Sequence, residues 1–172
     1  MSMAALPTSQ WMARWADLVP AGEVLDLACG RGRHARLFAA RGHRVLALDR
    51  DLEALATLAD APRVTTLQAD LEDGSPWPLG GRRFSAVVVA NYLHRPLFPA
   101  ILAALAPGGV LLYETFMVGN ERHGKPSNPQ FLLRAGELWQ VFGASLEVRA
   151  FEQGYRETPK PAMIQRLCAD RR

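Results

Sequence analysis

The stretch that most constrains the fold is Val24–Ala35, which reads VLDLACGRGRHA. Its apolar first half, residues 24–28, predicts a strand that ends at Cys29-Gly30-Arg31-Gly32, and a helix is predicted to begin near Arg33. A strand, a glycine turn and a helix in this order present backbone N–H groups and a helix N-terminus to a ligand. Glycine allows the sharp turn and leaves no Cβ between the backbone and that ligand. The stretch therefore predicts a ligand site at the end of the first strand of an α/β fold.

The overall composition is that of a single globular domain. The chain has 172 residues, of which 49% are hydrophobic and 22% charged, and a chain of this length buries a sizeable core without disulfides. The net charge is +3 and the basic residues are scattered, so the sequence carries no strong nucleic-acid signal. Cys29 and Cys168 fit small buried residues, and because no cysteines or histidines have metal-ligand spacing, no metal is expected.

The sequence carries no signal for export or membrane insertion. The first 20 residues lack a basic segment followed by an apolar run, and no stretch reaches the roughly 18 apolar residues of a spanning helix. We therefore predict a cytoplasmic protein that does not enter a membrane. The sequence leaves the oligomeric state open.

The pattern of apolar residues predicts alternating strands and helices. Strands are predicted at about 23–28, 44–49, 64–68, 84–90 and 110–115, and helices at about 7–19, 33–40, 51–58, 96–105 and 134–142. Nearly continuous apolar strands separated by helices are typical of a parallel sheet that helices cover on both faces. Two further strand-like runs, 146–151 and 162–169, are joined without helical spacing and predict an antiparallel pair.

We expect residues 1–172 to form one domain with four parts. These are an N-terminal covering helix over residues 1–20, a cofactor-binding core over 22–118, a candidate substrate lid over 117–130 and a terminal hairpin over 144–170. Residues 117–130 are rich in glycine, proline and polar groups, which is typical of the long loops that act as active-site lids.

Polar residues mark the end of each predicted parallel strand. After the glycine turn these are Asp49, Asp70, Asn91-Tyr92 and Glu114. The carboxyl ends of parallel strands meet at one edge of a sheet, so these side chains line one crevice if the sheet is parallel. Asp49 lies 17 residues beyond Gly32, where a carboxylate accepts hydrogen bonds from ribose hydroxyls. The sequence therefore predicts a nucleoside-containing ligand.

Two kinds of nucleoside ligand fit this pattern. The motif from Gly30 to Ala35 also matches a dinucleotide fingerprint, and a nicotinamide-dependent oxidoreductase is therefore one alternative. Asp26 lies inside the first strand, where a nicotinamide-binding strand is usually apolar, and no residues remain for a second, substrate-binding part. These features favour a sulfonium nucleoside. A cofactor-binding module without catalysis is a third interpretation.

Five sequence blocks in order resemble the class I S-adenosylmethionine-dependent methyltransferases. The blocks are VLDLACGRGRHA from Val24, ALDRD from Ala47, QADLED from Gln68, FSAVVVANYLH from Phe84 and LAPGGVLLYETF from Leu105. The small tellurite-resistance-type branch is the most similar, since it too has little beyond the core domain. The resemblance implies a Rossmann-like three-layer sandwich with a mostly parallel seven-stranded sheet of order 3-2-1-4-5-7-6, whose last strand is antiparallel. It implies methyl transfer with S-adenosyl-L-methionine as the cofactor.

The same resemblance implies which residues hold the cofactor. The methionine part would be held by Asp26 and by the backbone of Ala28, Cys29, Gly30 and Gly32. We further expect the N-terminal helix to cover the cofactor pocket, with Arg14 able to pair with the methionine carboxylate, while core packing of its tryptophans is the alternative.

The remaining implied roles fall on the later strand ends. Asp49 would bind the ribose with Arg50 beside it, and Asp70 would bind the adenine amino group with Leu71 against the ring. Asn91 and Tyr92 would lie near the sulfonium and its methyl group.

The sequence indicates less about the methyl acceptor than about the cofactor. The residues best placed to contact it are Asn91, Tyr92, His94 and Glu114. His94 is either a general base or a structural hydrogen-bonding group, and Glu114, at the end of a buried strand, needs a partner. Where adenine-methylating relatives carry a proline-proline-aromatic motif, this chain has Asn91-Tyr92-Leu93-His94. This departure argues against methylation of exocyclic amines on nucleic acids but leaves other RNA targets open. Aromatic residues that could stack on bases are sparse and no RNA-binding appendage is recognisable, so a small-molecule acceptor is favoured, with an RNA or protein acceptor as the alternative.

Overall fold

A seven-stranded sheet forms the middle layer of the molecule. The computed structural model describes residues 6–172, so residues 1–5 of the predicted covering segment lie outside the described residues. The strands are β1 (Val24–Leu27), β2 (Val45–Asp49), β3 (Val64–Gln68), β4 (Phe84–Ala90), β5 (Leu105–Phe116), β6 (Glu147–Arg156) and β7 (Ala162–Asp170). Their order is β3-β2-β1-β4-β5-β7-β6. Strands β1 to β5 are parallel, and β7 is antiparallel to both β5 and β6. The predicted order and the antiparallel strand are confirmed.

Helices cover both faces of the sheet because the central strands are apolar on both sides. The helices are α1 (Gln10–Trp15), α2 (Arg33–Ala40), α3 (Leu52–Ala56), α4 (Phe98–Ala103) and α5 (Glu137–Phe142). Odd and even positions of β1 enter different cores: Val24 packs with Trp11 and Phe38, whereas Leu25 packs in the core that contains Phe98 and Phe142. The three-layer sandwich that the resemblance implied is therefore confirmed.

The strand order changes direction between β1 and β4. Strand β1 pairs with β2 on one side and with β4 on the other, so the chain runs outward in both directions from this point. The carboxyl ends of β1 and β4 separate there, and such a switch point is where open α/β sheets bind ligands. The fold thus places the glycine turn after β1 directly beside Asn91, the residue that follows β4.

The N-terminal helix begins later and packs more deeply than the sequence predicts. Ser9 is the N-cap, since its hydroxyl accepts hydrogen bonds from the backbone N–H groups of Trp11 and Met12. Trp11 is 1% exposed, and its indole Nε1 donates to the carbonyl of Leu167, 3.2 Å away. Helix α1 is therefore a packed part of the core as well as a neighbour of the site.

Two strands are longer than their predicted bounds. β5 begins at Leu105 rather than near Val110, because the Pro-Gly-Gly turn forms an irregularity within the pairing of β4 and β5. β6 extends to Arg156 rather than to Phe151, because it pairs with β7 along its whole length. The extension carries Arg156 to the edge of the sheet where the site lies.

The core role of Trp11 can be tested by a conservative aromatic substitution. We expect Trp11→Phe to lower the free energy of unfolding by about 1–3 kcal/mol, because it removes the donor to a buried carbonyl and leaves a gap. Trp139, which is 50% exposed, provides the control, and Trp139→Phe should stay within about 0.5 kcal/mol of the parent. Urea unfolding followed by circular dichroism measures both. Equal effects of the two substitutions would contradict the assigned role of Trp11.

Candidate functional site

The turn after β1 is built from residues with left-handed backbone geometry. Ala28 has a φ of 53° and Gly30 a φ of 55°. Left-handed geometry is unfavourable for alanine, so Ala28 holds this conformation only because the surrounding structure imposes it. A Cβ added to Gly30 would meet nothing within 4 Å, so the backbone of Gly30 faces open space. The turn presents main chain to that space without a shielding side chain.

Asp49 holds the turn from the neighbouring strand. One carboxylate oxygen of Asp49 accepts the backbone N–H of Gly30 at 2.8 Å, and the other accepts that of Asp51 at 2.9 Å. Each carboxylate oxygen has a second lone pair, so Asp49 still has capacity to accept two further hydrogen bonds. The geometry at Asp49 therefore suits a ligand with paired hydroxyl donors.

Asp26 is a buried acid without a full set of partners. It is 2% exposed, and its Oδ2 atom has no hydrogen-bond partner among the described residues. Burial raises the pKa of Asp26 to about 7, while the Ala35 backbone N–H and the charge of Arg33 act in the opposite direction. An unpaired buried carboxylate is costly, so Asp26 is suited to receive a cationic donor from a ligand.

The far wall of the site comes from the ends of β3 and β4. Asp70 accepts the backbone N–H of Glu72 at 2.9 Å, which fixes a tight turn after β3. The Glu72 carboxylate accepts the hydroxyl of Tyr92 at 3.2 Å. Burial and the neighbouring Glu72 raise the pKa of Tyr92, so its hydroxyl is a proton-bearing donor near neutral pH. Asn91 has a φ of 55°, the second left-handed non-glycine residue at the switch point.

These elements enclose one large cavity of about 1100 Å³. Ligand cavities for drug-sized molecules are about 300–1000 Å³, so this one has room for a nucleoside cofactor and part of a second molecule. The predicted site residues that line it are Asp26, Ala28, Cys29, Gly30, Asp49, Arg50, Asp70, Leu71, Asn91 and Tyr92.

Four predicted site residues lie elsewhere. Gly32 does not line the cavity; a Cβ there would lie 2.5 Å from two methyl carbons of Leu58, so Gly32 allows α2 to pack closely. The side chain of Arg14 is 63% exposed and pairs with Glu152 at 3.3 Å, away from the cavity. Arg14 thus pairs with a carboxylate of the protein, Glu152, and not with the methionine carboxylate that the sequence analysis expected.

His94 and Glu114 also lie outside the large cavity. His94 lies behind the wall, with its Nδ1 atom 3.5 Å from Glu72. Glu114 is 1% exposed, and two arginines pair with it: Arg166 Nε at 2.5 Å and Arg156 at 3.3 Å. The partner that the sequence required for Glu114 is therefore a pair of guanidinium groups from the terminal hairpin.

Several residues that the sequence analysis did not select also line the cavity. They are Leu6, Arg31, Arg33, His34, Glu72, Thr115, Phe116, Pro126 and Phe131, among others. Arg33 and His34 lie in the first turn of α2, directly after the glycine turn. This position in the sequence could have predicted that they line the cavity. Burial lowers the pKa of His34 to about 3, and its Nε2 accepts the backbone N–H of Ser9 at 3.1 Å. His34 is therefore a neutral acceptor that anchors the N-terminal segment.

The candidate lid forms one wall of the cavity through Pro126 and Phe131. Asn120 fastens this loop, because its amide donates to the carbonyl of Pro126 at 2.9 Å and its oxygen accepts the backbone N–H of Met163 at 3.0 Å. Arg95 fastens the far end by donating to the carbonyl of Leu132 at 2.9 Å. The loop is thus tied to β7 and to the segment after β4.

Within residues 6–172, no helix has the length and apolar character that crossing a membrane requires. No three His, Cys, Asp or Glu side chains in that range are grouped so that they could hold a metal ion.

The fold and the site together define an α/β domain whose large cavity lies beyond the central strands and is lined by Asp26 of β1, Asp49 of β2 and Asp70 after β3. A family model described as "Methyltransferase domain" matches residues 24–109, which is half of the 172-residue chain. The chain therefore belongs to this methyltransferase family. This family match confirms the predicted class, a class I S-adenosylmethionine-dependent methyltransferase, and the predicted cofactor.

Curated relatives agree with the family, and a solved structure shares the fold. A trans-aconitate 2-methyltransferase from Delftia acidovorans is 29% identical over 84% of this chain and 58% of its own length. One from Rhizobium meliloti is 35% identical over 61% of this chain and 42% of its own length. The chain thus spans about half the length of the curated relatives that it matches. The TehB structure from Haemophilus influenzae superposes with a TM-score of 0.80 at 16% identity, over 99% of this chain and 64% of that one.

Alanine substitutions at the two glycines of the turn should affect different properties, ligand binding at Gly30 and stability at Gly32. We expect Gly30→Ala to weaken binding of S-adenosylhomocysteine at least tenfold, because its Cβ enters the ligand space, with a stability loss of only about 1 kcal/mol from the left-handed φ. Gly32→Ala should lower the free energy of unfolding by a larger amount, about 2–4 kcal/mol, because strain and the contact with Leu58 add. Calorimetric titration and urea unfolding measure the two properties, and unaltered binding by Gly30→Ala would argue against a ligand at this turn.

Proposed function

We propose that this chain transfers a methyl group from S-adenosylmethionine to a small-molecule acceptor. The observation that carries the proposal is the combination of an open glycine backbone at Gly30 with three acids around one cavity: Asp26 within β1, Asp49 at the end of β2 and Asp70 after β3. When bound, S-adenosylmethionine supplies a methyl group on a sulfonium, whose sulfur keeps the electron pair of the bond that breaks. The residues of this chain bind, orient and shield the two reactants.

The donor groups and acceptor atoms of the cavity fit this cofactor. The unpaired carboxylate oxygen of Asp26 suits the ammonium of the methionine part, with the backbone of Ala28, Cys29 and Gly30 beside it. Asp49 has the free acceptor capacity that two ribose hydroxyls require. Arg50 lies beside it on the cavity wall.

The adenine end fits the wall after β3. The Asp70 carboxylate lines the cavity and suits the adenine amino group, while Leu71 offers an apolar surface to the ring. Asn91 and Tyr92 lie on the opposite strand end, where we place the methyl group and the reacting atom of the acceptor. The roles of these residues are part of the proposal.

The geometry favours orientation over acid–base chemistry. Both oxygens of Glu114 are paired with arginines, and His94 lies outside the cavity, so neither has the position of a general base. The hydroxyl of Tyr92 is held by Glu72 and keeps its proton. We infer that the acceptor arrives with a nucleophile that needs no proton removal, and that the enzyme contributes alignment and exclusion of water.

A small acceptor is supported by the size and lining of the cavity. Pro126 and Phe131 of the loop and Leu6 of the N-terminal segment line the same cavity of about 1100 Å³ as Asn91, which has room for the cofactor and a small second molecule. The relatives named trans-aconitate 2-methyltransferase act on a small molecule according to their names. Methyl-labelled cofactor incubated with fractionated cell extract tests this proposal. Label in the small-molecule fraction is the expected result, and label confined to RNA or protein would contradict it.

The proposed contact between Asp70 and adenine can be tested separately from the role of Asp70 in its backbone turn, because Asp73 provides a matched control. Asp70 and Asp73 each accept the backbone N–H two residues further on, at 2.9 Å and 2.8 Å, but only Asp70 lines the cavity. We expect Asp70→Asn to weaken S-adenosylhomocysteine binding about tenfold, because a hydrogen bond to a charged group contributes about 1.5 kcal/mol. Asp73→Asn should bind as the parent does. Calorimetric titration decides, and equal affinities for the two variants would remove Asp70 from the site.

The buried carboxyl of Asp26 should make cofactor binding depend on pH. Its pKa is raised to about 7, so below that value it is protonated and cannot pair with an ammonium group. We expect the affinity for S-adenosylhomocysteine to rise roughly tenfold or more from pH 5.5 to pH 7.5 and to level off above that. Asp26→Asn should bind more weakly and lose this dependence. A flat parent profile would contradict the pairing.

The stability of the protein without ligand should show the opposite trend. The folded state holds a proton on Asp26 that the unfolded chain, with a pKa of 3.8, has already released. This contribution to stability is complete below pH 3.8 and is lost as the pH rises to about 7. Urea unfolding of the parent and of Asp26→Asn across this pH range shows whether the loss of unfolding free energy is caused by ionisation of Asp26.

A further inference from the structure

A second, smaller cavity adjoins the cofactor cavity and is lined by basic groups. It has a volume of about 200 Å³, and its charged lining residues are Arg33, Glu114, Arg156, Lys160 and Arg166. The size exceeds the roughly 150 Å³ of an apolar cavity that accepts benzene, so a molecule of a few carbons fits. Four cationic side chains therefore face a single carboxylate around a space of small-molecule size.

Glu114 does not neutralise this cluster. It lies directly opposite Arg166 in the pairing of β5 and β7, with an N–O distance of 2.5 Å. Arg156 reaches the other oxygen of Glu114 at 3.3 Å, so two guanidinium groups share one negative charge. Arg166 has a second carboxylate, Glu152, at 3.3 Å on the solvent side. Excess positive charge thus remains on the inner side of the cluster.

Arg33 and Arg156 carry that excess. Burial lowers the pKa of the Arg33 guanidinium and the charge of Arg156 acts in the same direction, while Glu114 and Asp26 act in the opposite direction. Arg33 and Arg156 line the same small cavity. The only direct protein partner that Arg33 has among the described residues is the carbonyl of Pro7, at 2.6 Å. The Nε atom of Arg156 is buried and has no hydrogen-bond partner in the described part of the chain. An anion in the cavity would supply the acceptor that this buried donor lacks and would offset the like charges that line the same space.

The small cavity is continuous with the place where the methyl group is expected. Leu6, Arg33, Asn91 and Phe116 line both cavities. Asn91 is the residue with left-handed φ at the end of β4, next to the proposed position of the sulfonium. An anion held between Arg33 and Arg156 would therefore belong to a molecule that reaches the reacting centre.

We propose that this cavity is the acceptor subsite and that Arg33 and Arg156 bind a carboxylate group of the acceptor there. The proposal rests on the proposed methyl transfer and adds the chemical class of the acceptor. Guanidinium groups bind planar oxyanions through paired N–H donors, which orients the ligand as well as holding it. Glu114 keeps Arg156 and Arg166 in fixed positions. If the reacting atom is a carboxylate oxygen of the same acceptor, it carries no proton near neutral pH, so it can form the new C–O bond as the S–C bond breaks without a general base.

Binding of defined probes tests the subsite. We would titrate fumarate, trans-aconitate, the neutral analogue fumaramide and inorganic phosphate into the protein saturated with S-adenosylhomocysteine, by calorimetry at low ionic strength. We expect the two carboxylates to bind at least tenfold more tightly than fumaramide and more tightly than phosphate. Fumaramide binding as well as fumarate would overturn an anion site, and phosphate binding better than both carboxylates would overturn the carboxylate assignment.

A matched pair of variants locates the binding. We expect Arg156→Gln to weaken binding of the tighter carboxylate at least tenfold and Arg156→Lys to give an intermediate value, since lysine keeps the charge but loses the paired donors. Arg149→Gln is the control, because Arg149 lies on the same strand but pairs with Asp170 outside the cavity. Circular dichroism and thermal unfolding verify that each variant is folded. Equal weakening by Arg149→Gln, or none by Arg156→Gln, would overturn the assignment.

The experiment also separates this proposal from the one on which it rests. Binding of S-adenosylhomocysteine is measured first, in the absence of any anion, for the parent and for both Arg156 variants. If S-adenosylhomocysteine does not bind the parent, the proposed methyl transfer fails and this subsite fails with it. If it binds and no carboxylate does, the carboxylate subsite alone is wrong.

Discussion

The site depends on one hydrogen bond between neighbouring strand ends, from the backbone N–H of Gly30 to the Asp49 carboxylate. The bond crosses from the turn after β1 to the tip of β2, and it gives the left-handed turn a fixed partner outside itself. The same carboxylate accepts the N–H of Asp51, the N-cap of α3. One side chain thus sets the turn, starts the next helix and offers its remaining lone pairs to a ligand. Rigid support of this kind lets the protein hold the open backbone at Gly30 without a side chain to fill the space.

The two cavities differ in their balance of charged side chains. Four acids and four arginines line the large cavity, so its lining is balanced: Asp26, Asp49, Asp70, Glu72, Arg31, Arg33, Arg36 and Arg50. Three arginines and one lysine face the single acid Glu114 around the smaller cavity. Asn91 lines both cavities, and it is uncharged. An anionic acceptor would therefore meet complementary charge in the smaller cavity and reach the larger one at Asn91, without requiring a group that moves a proton.

Much of the fold and of the cofactor side was predictable because it depends on local pattern. Asp26, Asp49 and Asp70 follow or interrupt apolar runs, and the carboxyl ends of parallel strands must meet at one edge. The role of Gly32 was not predictable from local pattern. It resembles Gly30 in sequence, but its role is set by contact with Leu58, which lies far from it in the chain. The arginines of the second cavity were not predictable either, because residues distant in sequence bring them together. Arg156 is 42 residues from Glu114 in the chain, and it reaches Glu114 only because β6 continues past its apolar segment.

The strained residues explain why the switch point is so well supported. Ala28 and Asn91 both have left-handed geometry, each costing of the order of 1 kcal/mol or more, and both follow strands at the place where the sheet divides. The flanking backbone is fixed on both sides: Cys29 donates to the carbonyl of Leu48 at 2.9 Å, and Asn91 donates to that of Glu114 at 2.9 Å. These bonds connect the turn to β2 and the end of β4 to β5, so the central strands together hold the two turns open. The strain is located at residues that line the large cavity, and hydrogen bonds within the sheet maintain it. A site prepared in this way needs little rearrangement when the reactants bind, which is what alignment without acid–base catalysis requires.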